Sequence, residues 1–197
     1  MTHQKNLSRS IAGLAGITAG LLAIPFIAMQ FTDEVQWSLN DFVLAGILLF
    51  GTGSAYIFIR SRSDNYAYRA GIGLLLFTSL FLMWSNLAVG LVGSENEPFN
   101  LSYFGVILTG IIGTLLSRFK PNAMSITAFI MAGMHVLLAA IALATGMQNV
   151  PGSSVMEIIG VNAMFMILFS LSGLLFRYAA QSINYRISSD SENTTPI

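Results

Sequence analysis

The chain contains no cysteine. That excludes disulfides, thiolate metal sites, iron–sulfur clusters and cysteine nucleophiles together. Histidine is nearly as scarce, with only His3 and His135, too few for a multi-histidine metal or haem centre. No metal site and no cofactor are therefore expected. Charge is the third scarcity: 9% of residues are charged, where a soluble domain carries about 25%. A soluble protein of this length could not cover its surface with so few charges. The formal net charge is zero, which gives no reason to expect a nucleic-acid partner. Paired metalloprotease histidines, a phosphate-binding glycine loop, a dinucleotide fingerprint and a nucleophile motif are all missing. No catalytic residue is singled out, and the chain is not expected to be an enzyme.

What fills the space is apolar. Hydrophobic residues make up 54% of the chain and the mean hydropathy is +0.71. Six runs, about 10–31, 42–59, 70–93, 102–117, 123–146 and 156–176, each approach the roughly 20 residues that cross hydrocarbon as a helix. Alternating strand patterns are absent, and backbone in lipid must satisfy its own hydrogen bonds, so the runs are predicted to be helices. The expected fold is an all-α transmembrane six-helix bundle over 10–178, with a polar tail at 1–9 and a second, disordered polar tail at 179–197. The lipid bilayer is the expected surrounding. The first run is long for a signal-peptide core and is read as an uncleaved helix; Pro25 is expected to kink it.

The few charges are segregated. Lys5, Arg9, Arg60, Arg62, Arg69, Arg118, Lys120, Arg177 and Arg186 all fall on one side of the alternating spans. Asp33, Glu34, Asp41, Glu95, Glu97 and Glu157 fall on the other, and Asp64, Asp190 and Glu192 share the basic side. The positive-inside rule then predicts both termini in the cytoplasm and three acidic loops outside. Trp37, Trp84 and Tyr103 would mark the outer interface, and Tyr56, Tyr66, Tyr68, Tyr178 and Tyr185 the inner one.

Arg60, Arg118 and Arg177 end the descending runs at nearly equal intervals. This spacing suggests three helical hairpins of roughly 58 residues each, read as an internal repeat. Any six-helix chain with short loops also shows some such period. Small residues recur at helical spacing: Ala12, Gly16 and Gly20 in the first run, Gly90 and Gly93 in the third, Gly110 and Gly113 in the fourth. Faces of this kind let helices approach closely in lipid.

Strongly polar groups within the spans are rare. Asn86, His135 and Asn162 are each separated by a similar length of chain from a basic residue on the same run: Arg69, Lys120 and Arg177 respectively. Along a helix those separations amount to roughly 22–25 Å, one layer in the outer half of the membrane. Tyr103 lies as far before Arg118 as Asn162 lies before Arg177, so it reaches the same layer. Asn86, His135, Asn162 and Tyr103 are thus the candidate polar site, and an intramembrane histidine is a functional candidate. The competing reading is that each polar group locks helix packing. In the central loop, Glu95 and Glu97 with Asn96, Pro98 and Asn100 resemble an oxygen cluster for a hard cation, or else a merely solvated acidic turn. Asn100-Leu101-Ser102 also fits the glycosylation pattern.

The segments Glu34-Val-Gln-Trp-Ser-Leu-Asn-Asp-Phe-Val-Leu-Ala-Gly, Trp84-Ser-Asn-Leu-Ala-Val-Gly-Leu-Val-Gly-Ser-Glu-Asn-Glu-Pro-Phe-Asn and Arg118-Phe-Lys-Pro-Asn-Ala-Met resemble a family of small bacterial multi-pass inner-membrane proteins of unassigned function. The resemblance covers most of 30–178. It implies a bacterial inner membrane and brings no activity. Glu97 and Phe99 stand where the family pattern is expected to vary. The first functional reading is an accessory or structural component, a homo-oligomer or a subunit of a larger membrane complex. The alternative is a small channel or transporter for a cation, proton or small solute that uses the polar layer. An intramembrane enzyme comes third. The topology is testable: a tag on either terminus should be reachable only from the cytoplasm, and labelling of intact cells from outside would overturn the assignment.

Overall fold

The computed structural model describes the backbone of residues 2–193 and the side chains of 8–183. Among the described residues six long helices are present: α1 (Thr2–Ala28), α2 (Leu39–Arg60), α3 (Tyr66–Ala88), α4 (Ser102–Leu116), α5 (Pro121–Ala144) and α6 (Val155–Asn193). Short 3-10 turns at Pro98–Leu101 and Met147–Asn149 precede α4 and α6. No strand occurs among the described residues. All six helices, the fourth taken together with its preceding turn as Pro98–Leu116, are long and apolar enough to cross a membrane. The side chains of His3, Lys5, Tyr185, Arg186, Asp190 and Glu192 lie outside the described set.

Local chemistry sets the helix ends. Ser38 and Asp41 cap each other at the start of α2: the Ser38 N–H donates to Asp41 Oδ2 (2.7 Å) and the Asp41 N–H to Ser38 Oγ. This reciprocal box satisfies donors that the first turn would otherwise leave open. Asn65 Oδ1 accepts from the Tyr68 N–H at the start of α3, and Ser154 Oγ from the Glu157 N–H at the start of α6. Pro121 opens α5 at a position where its missing N–H costs nothing.

Three boundaries differ most from the sequence expectation. The first helix already begins at Thr2, where 1–9 was expected to be a polar tail outside the span. The third helix stops at Ala88 rather than near 93, because Gly90 and Gly93 take φ of +75° and +68°. Those glycines turn the chain out of the helix and are not a packing face. The sixth helix runs on through Arg177 to Asn193, so 179–193 is helical where a disordered tail was expected. From 174 to 193 the chain carries no glycine or proline, and Ala179 and Ala180 are buried.

The chain divides into two compact units, Met1–Ser61 and Arg62–Ile197. The first is the α1–α2 hairpin. Its helices meet where Gly53 receives the Leu14 side chain and where Gly46 lies against Leu22. Phe42 packs edge-on against Phe26 and Trp37 at the hairpin's acidic end. Gly16 and Gly20 have no α2 atom close enough to touch an added Cβ, so the expected small-residue face of α1 is not the one that packs within the hairpin.

In the second unit α6 packs along both α3 and α5, and α4 packs on α5. Sequential pairing is weaker between α3 and α4 than between α3 and α6. Hydroxyls tie these helices together by donating to carbonyls across the interfaces. Ser172 Oγ of α6 donates to Gly71 O of α3 (2.9 Å), and Ser125 Oγ of α5 donates to Gly173 O of α6 (2.8 Å). At the basic end the Tyr68 hydroxyl donates to Phe119 O (2.8 Å) and Asn65 Nδ2 to Ser182 Oγ (2.7 Å). Interhelical bonds of this kind contribute about 0.6–2 kcal/mol each in a membrane.

Gly110 and Gly113 do form a close-packing face, against α5. A Cβ at Gly113 would lie 2.5 Å from Thr127 Cγ2, and one at Gly110 would lie 2.7 Å from Met131 Cε. The two neighbours differ in stiffness: threonine is β-branched, while the methionine tip can swing aside. Gly113→Ala should therefore destabilise the protein by about 1–3 kcal/mol. Gly110→Ala should cost less than about 1 kcal/mol, its clash offset by the higher helix propensity of alanine. Unfolding titrations of both variants in mixed micelles check the order; equal losses would show that the α5 side chains respond alike.

Candidate functional site

Three helices of the second unit bring polar side chains to one buried point. Tyr103 comes from the first turn of α4, His135 from the middle of α5 and Asn162 from the second turn of α6. Tyr103 is 1% exposed, Asn162 2% and His135 0%. Asn162 is the centre of the group. Its Nδ2 donates to Ile158 O on its own helix (2.9 Å) and to the Tyr103 hydroxyl (3.0 Å). That leaves Asn162 Oδ1 facing His135 Nδ1 at 3.1 Å, with the Tyr103 hydroxyl also 3.3 Å away.

The amide orientation fixes the imidazole. Turning the Asn162 amide over would set Oδ1 against the Ile158 carbonyl, two acceptors face to face. With Oδ1 towards the ring, Nδ1 must carry the hydrogen. In the neutral ring Nε2 then holds a lone pair, and that atom is buried with no hydrogen-bond partner.

Aromatic rings enclose the imidazole. Phe165 and Phe169 stack on it at centroid distances of 5.3 and 5.7 Å, with interplanar angles of 19° and 23°. The Tyr103 ring lies 5.8 Å away at 31°. Both phenylalanines are fully buried. They were not among the sequence candidates; Asn162, Phe165 and Phe169 follow the i, i+3, i+7 spacing of one helix face, which in a helix apolar on nearly every side stands out only once Asn162 is seen to point inward.

Asn86 is not part of this group. It is 4% exposed, and its Nδ2 donates to Asn100 O (3.1 Å), so it serves the α3–α4 connection. Counting depth along a helix places residues in a layer but leaves their direction around the axis open, and Asn86 faces the loop. Its Oδ1 has no partner.

The connection itself is built around Asn100, 3% exposed. Asn100 Oδ1 accepts from the N–H groups of Leu91 and Val92, and its Nδ2 donates to Val92 O and Ser94 O. All of its side-chain hydrogen-bonding directions are turned into the loop, so the glycosylation pattern at 100–102 is closed by the fold. Gly90 makes the approach possible, since a Cβ there would lie 2.5 Å from Ser94 O and 2.7 Å from Asn100 Nδ2. The turn leans on the α5–α6 connection, where Gly93 lies against Val150 and Gly152 faces Gly93 O. Glu95 is exposed and Glu97 half-buried. Among the described residues no three of histidine, aspartate and glutamate converge as a metal site.

No protein-family model, curated protein or solved structure matches the chain. Its class follows from the helices: six spans of membrane length and apolar composition make it a multi-pass helical membrane protein.

The bonding pattern predicts the histidine tautomer. Nitrogen-15 spectra of histidine-labelled protein should show a protonated Nδ1 and a bare Nε2 at His135. Asn162→Leu should remove the bias towards that form and cost about 1–3 kcal/mol, because the imidazole Nδ1–H and the Tyr103 hydroxyl lose partners. A protonated Nε2 with bare Nδ1 in the parent protein would contradict the assigned amide orientation.

Proposed function

We propose that the protein is an accessory or structural component of a bacterial inner membrane, acting as a subunit of a membrane complex or as a homo-oligomer. The observation that carries this reading is the closure of the buried polar group. His135 has 0% exposure, three aromatic rings around it and its Nδ1 engaged by Asn162. A site that handles a permeating ion presents polar groups to a water-lined approach. This one presents ring faces, and the hydroxyl, the amide and the imidazole Nδ1 are occupied in holding α4, α5 and α6 together. The same surroundings count against an enzyme, since the histidine is bonded to an amide rather than a carboxylate and the Tyr103 hydroxyl is engaged by Asn162.

Both termini are placed in the cytoplasm by this reading, supported by the collection of basic residues on one side of the spans. Within the second unit, hydrogen bonds between 65 and 182 and between 68 and 119 bring the basic segments to one end. The family resemblance around 84–100 supports the inner-membrane setting.

A second reading, a small channel or transporter for a cation, proton or small solute, has one observation in its favour: His135 Nε2 is a buried polar atom without a partner. Purified protein in sealed liposomes separates the two. Under a proton or potassium gradient, vesicles carrying the protein should leak no faster than empty ones. Protein released from native membranes in mild detergent should migrate above its 21.3 kDa monomer mass after allowance for detergent. Flux above the empty-vesicle rate that disappears in His135→Phe would replace the first reading by the second.

A further inference from the structure

The basic end of the second unit carries a charge cluster that the accessory reading does not use. Its anchor is the turn between α4 and α5. Arg118 and Phe119 both adopt left-handed backbone, with φ of 49° and 62°. This conformation is unfavourable for residues other than glycine, and two in succession are held by their surroundings. The Phe119 N–H donates to Ser117 Oγ (3.1 Å), and the Phe119 carbonyl accepts from the buried Tyr68 hydroxyl (2.8 Å). The Arg62 guanidinium sits 5.3 Å above the Phe119 ring. Three cations are thus tied to one turn: Arg62 by its place over the Phe119 ring, and Arg118 and Lys120 as the chain neighbours of Phe119. All three are exposed.

Acids are scarce at this end. Among its described side chains Asp64 is the only carboxylate, and Asp64 Oδ1 accepts from Arg69 Nη2 at 2.6 Å. Basic residues therefore outnumber acids around Phe119. Their position matters as much as their charge. Arg118 and Lys120 lie in the link between the spans Pro98–Leu116 and Pro121–Ala144, and Arg62 just precedes the span Tyr66–Ala88. Residues at span ends sit at headgroup depth, where phosphates of anionic lipids are concentrated.

We propose that Arg62, Arg118 and Lys120, gathered about the left-handed Arg118–Phe119 turn, form a headgroup site for an anionic phospholipid. The guanidinium of Arg62 gives planar, paired donors to a phosphate, while Lys120 contributes a point charge. The turn keeps Arg118 and Lys120 next in the chain to the ring that Arg62 covers. Apolar side chains exposed on the adjoining helices, Leu115 and Leu116 on α4 and Ile126 on α5, give the acyl chains a surface. The site rests on the protein being in a membrane and not on its being an accessory subunit, so ion flux in liposomes would leave it standing.

The test is thermal unfolding of the full chain in a neutral detergent, titrated with phosphatidylglycerol. The parent protein should gain several degrees with phosphatidylglycerol and little with phosphatidylcholine. The pair Arg118→Asn with Lys120→Gln retains a residue suited to left-handed backbone. It should unfold at or above the parent temperature without lipid and lose most of the phosphatidylglycerol shift. Each cation at an anionic surface contributes roughly five-fold in binding, so the pair should need on the order of 25-fold more lipid for the same shift. A control pair with the same charge change, Arg9→Gln with Arg60→Gln, should keep the shift. Equal losses in both pairs would mean diffuse surface charge and overturn the site. A shift of the same size with inorganic phosphate would make it a free-anion site and overturn the lipid assignment. Should the double variant not fold, Lys120→Glu alone is expected to halve the shift or more, and an unchanged shift there refutes the proposal.

Discussion

A polar group carried into hydrocarbon must find its partner within the protein, and in the second unit α6 is where the partners are found. Asn162 reaches Tyr103 of α4 and His135 of α5. Ser172 reaches the backbone of α3, and the carbonyl of Gly173 receives Ser125 of α5. Three neighbouring helices are thus registered against one helix by its own few polar atoms. Apolar packing alone fixes such contacts poorly in lipid, because the lipid chains offer much the same dispersion energy. Hydrogen bonds are directional, so they set rotation and depth at once. The helix that comes last in the chain is the one on which the other three helices of this unit depend.

The glycines act by the same logic of close approach, in two different ways. Gly71, Gly113 and Gly173 sit where a side chain of a facing helix already occupies the space a Cβ would need. Gly71 and Gly173 also lend their carbonyls to the serines across the interface, which an absent side chain leaves accessible. Gly90 and Gly93 serve backbone geometry instead. They allow positive φ, which ends α3 and folds 89–97 back on Asn100. The same residue type thus means helix contact in one place and loop closure in another, and its spacing in the sequence does not distinguish them.

Six helices were legible in the sequence because length and composition are sufficient for a span, and nothing else in the chain competes with that signal. The meeting of Tyr103, His135 and Asn162 was legible in part, since residues at equal distance from the basic end of antiparallel helices share a layer. Rotation about each helix axis was not legible. A helix apolar on nearly every face gives no stripe from which to read its inward side, so Asn86 passed the same depth count and faced Asn100 instead. The role of Asn100 was hidden for a related reason. Its four loop bonds depend on the left-handed turns at Gly90 and Gly93, and spacing alone does not foretell them. The helical course of 179–193 was missed because polarity was weighed above helix propensity. A polar segment without glycine or proline can extend a helix whose preceding turn is packed.

Closure of the histidine site follows from the same rotational constraint. Asn162, Phe165 and Phe169 lie on one face of α6, so the face that supplies the imidazole with its hydrogen-bond acceptor also supplies the rings that cover it. The position of that face is set by the rotation of α6 about its own axis. Turning α6 would break the bonds at Asn162, Ser172 and Gly173 together, because all three lie on that one rigid helix. The bonds that hold the second unit in register are therefore also the bonds that keep the ring-bearing face of α6 against the imidazole of His135.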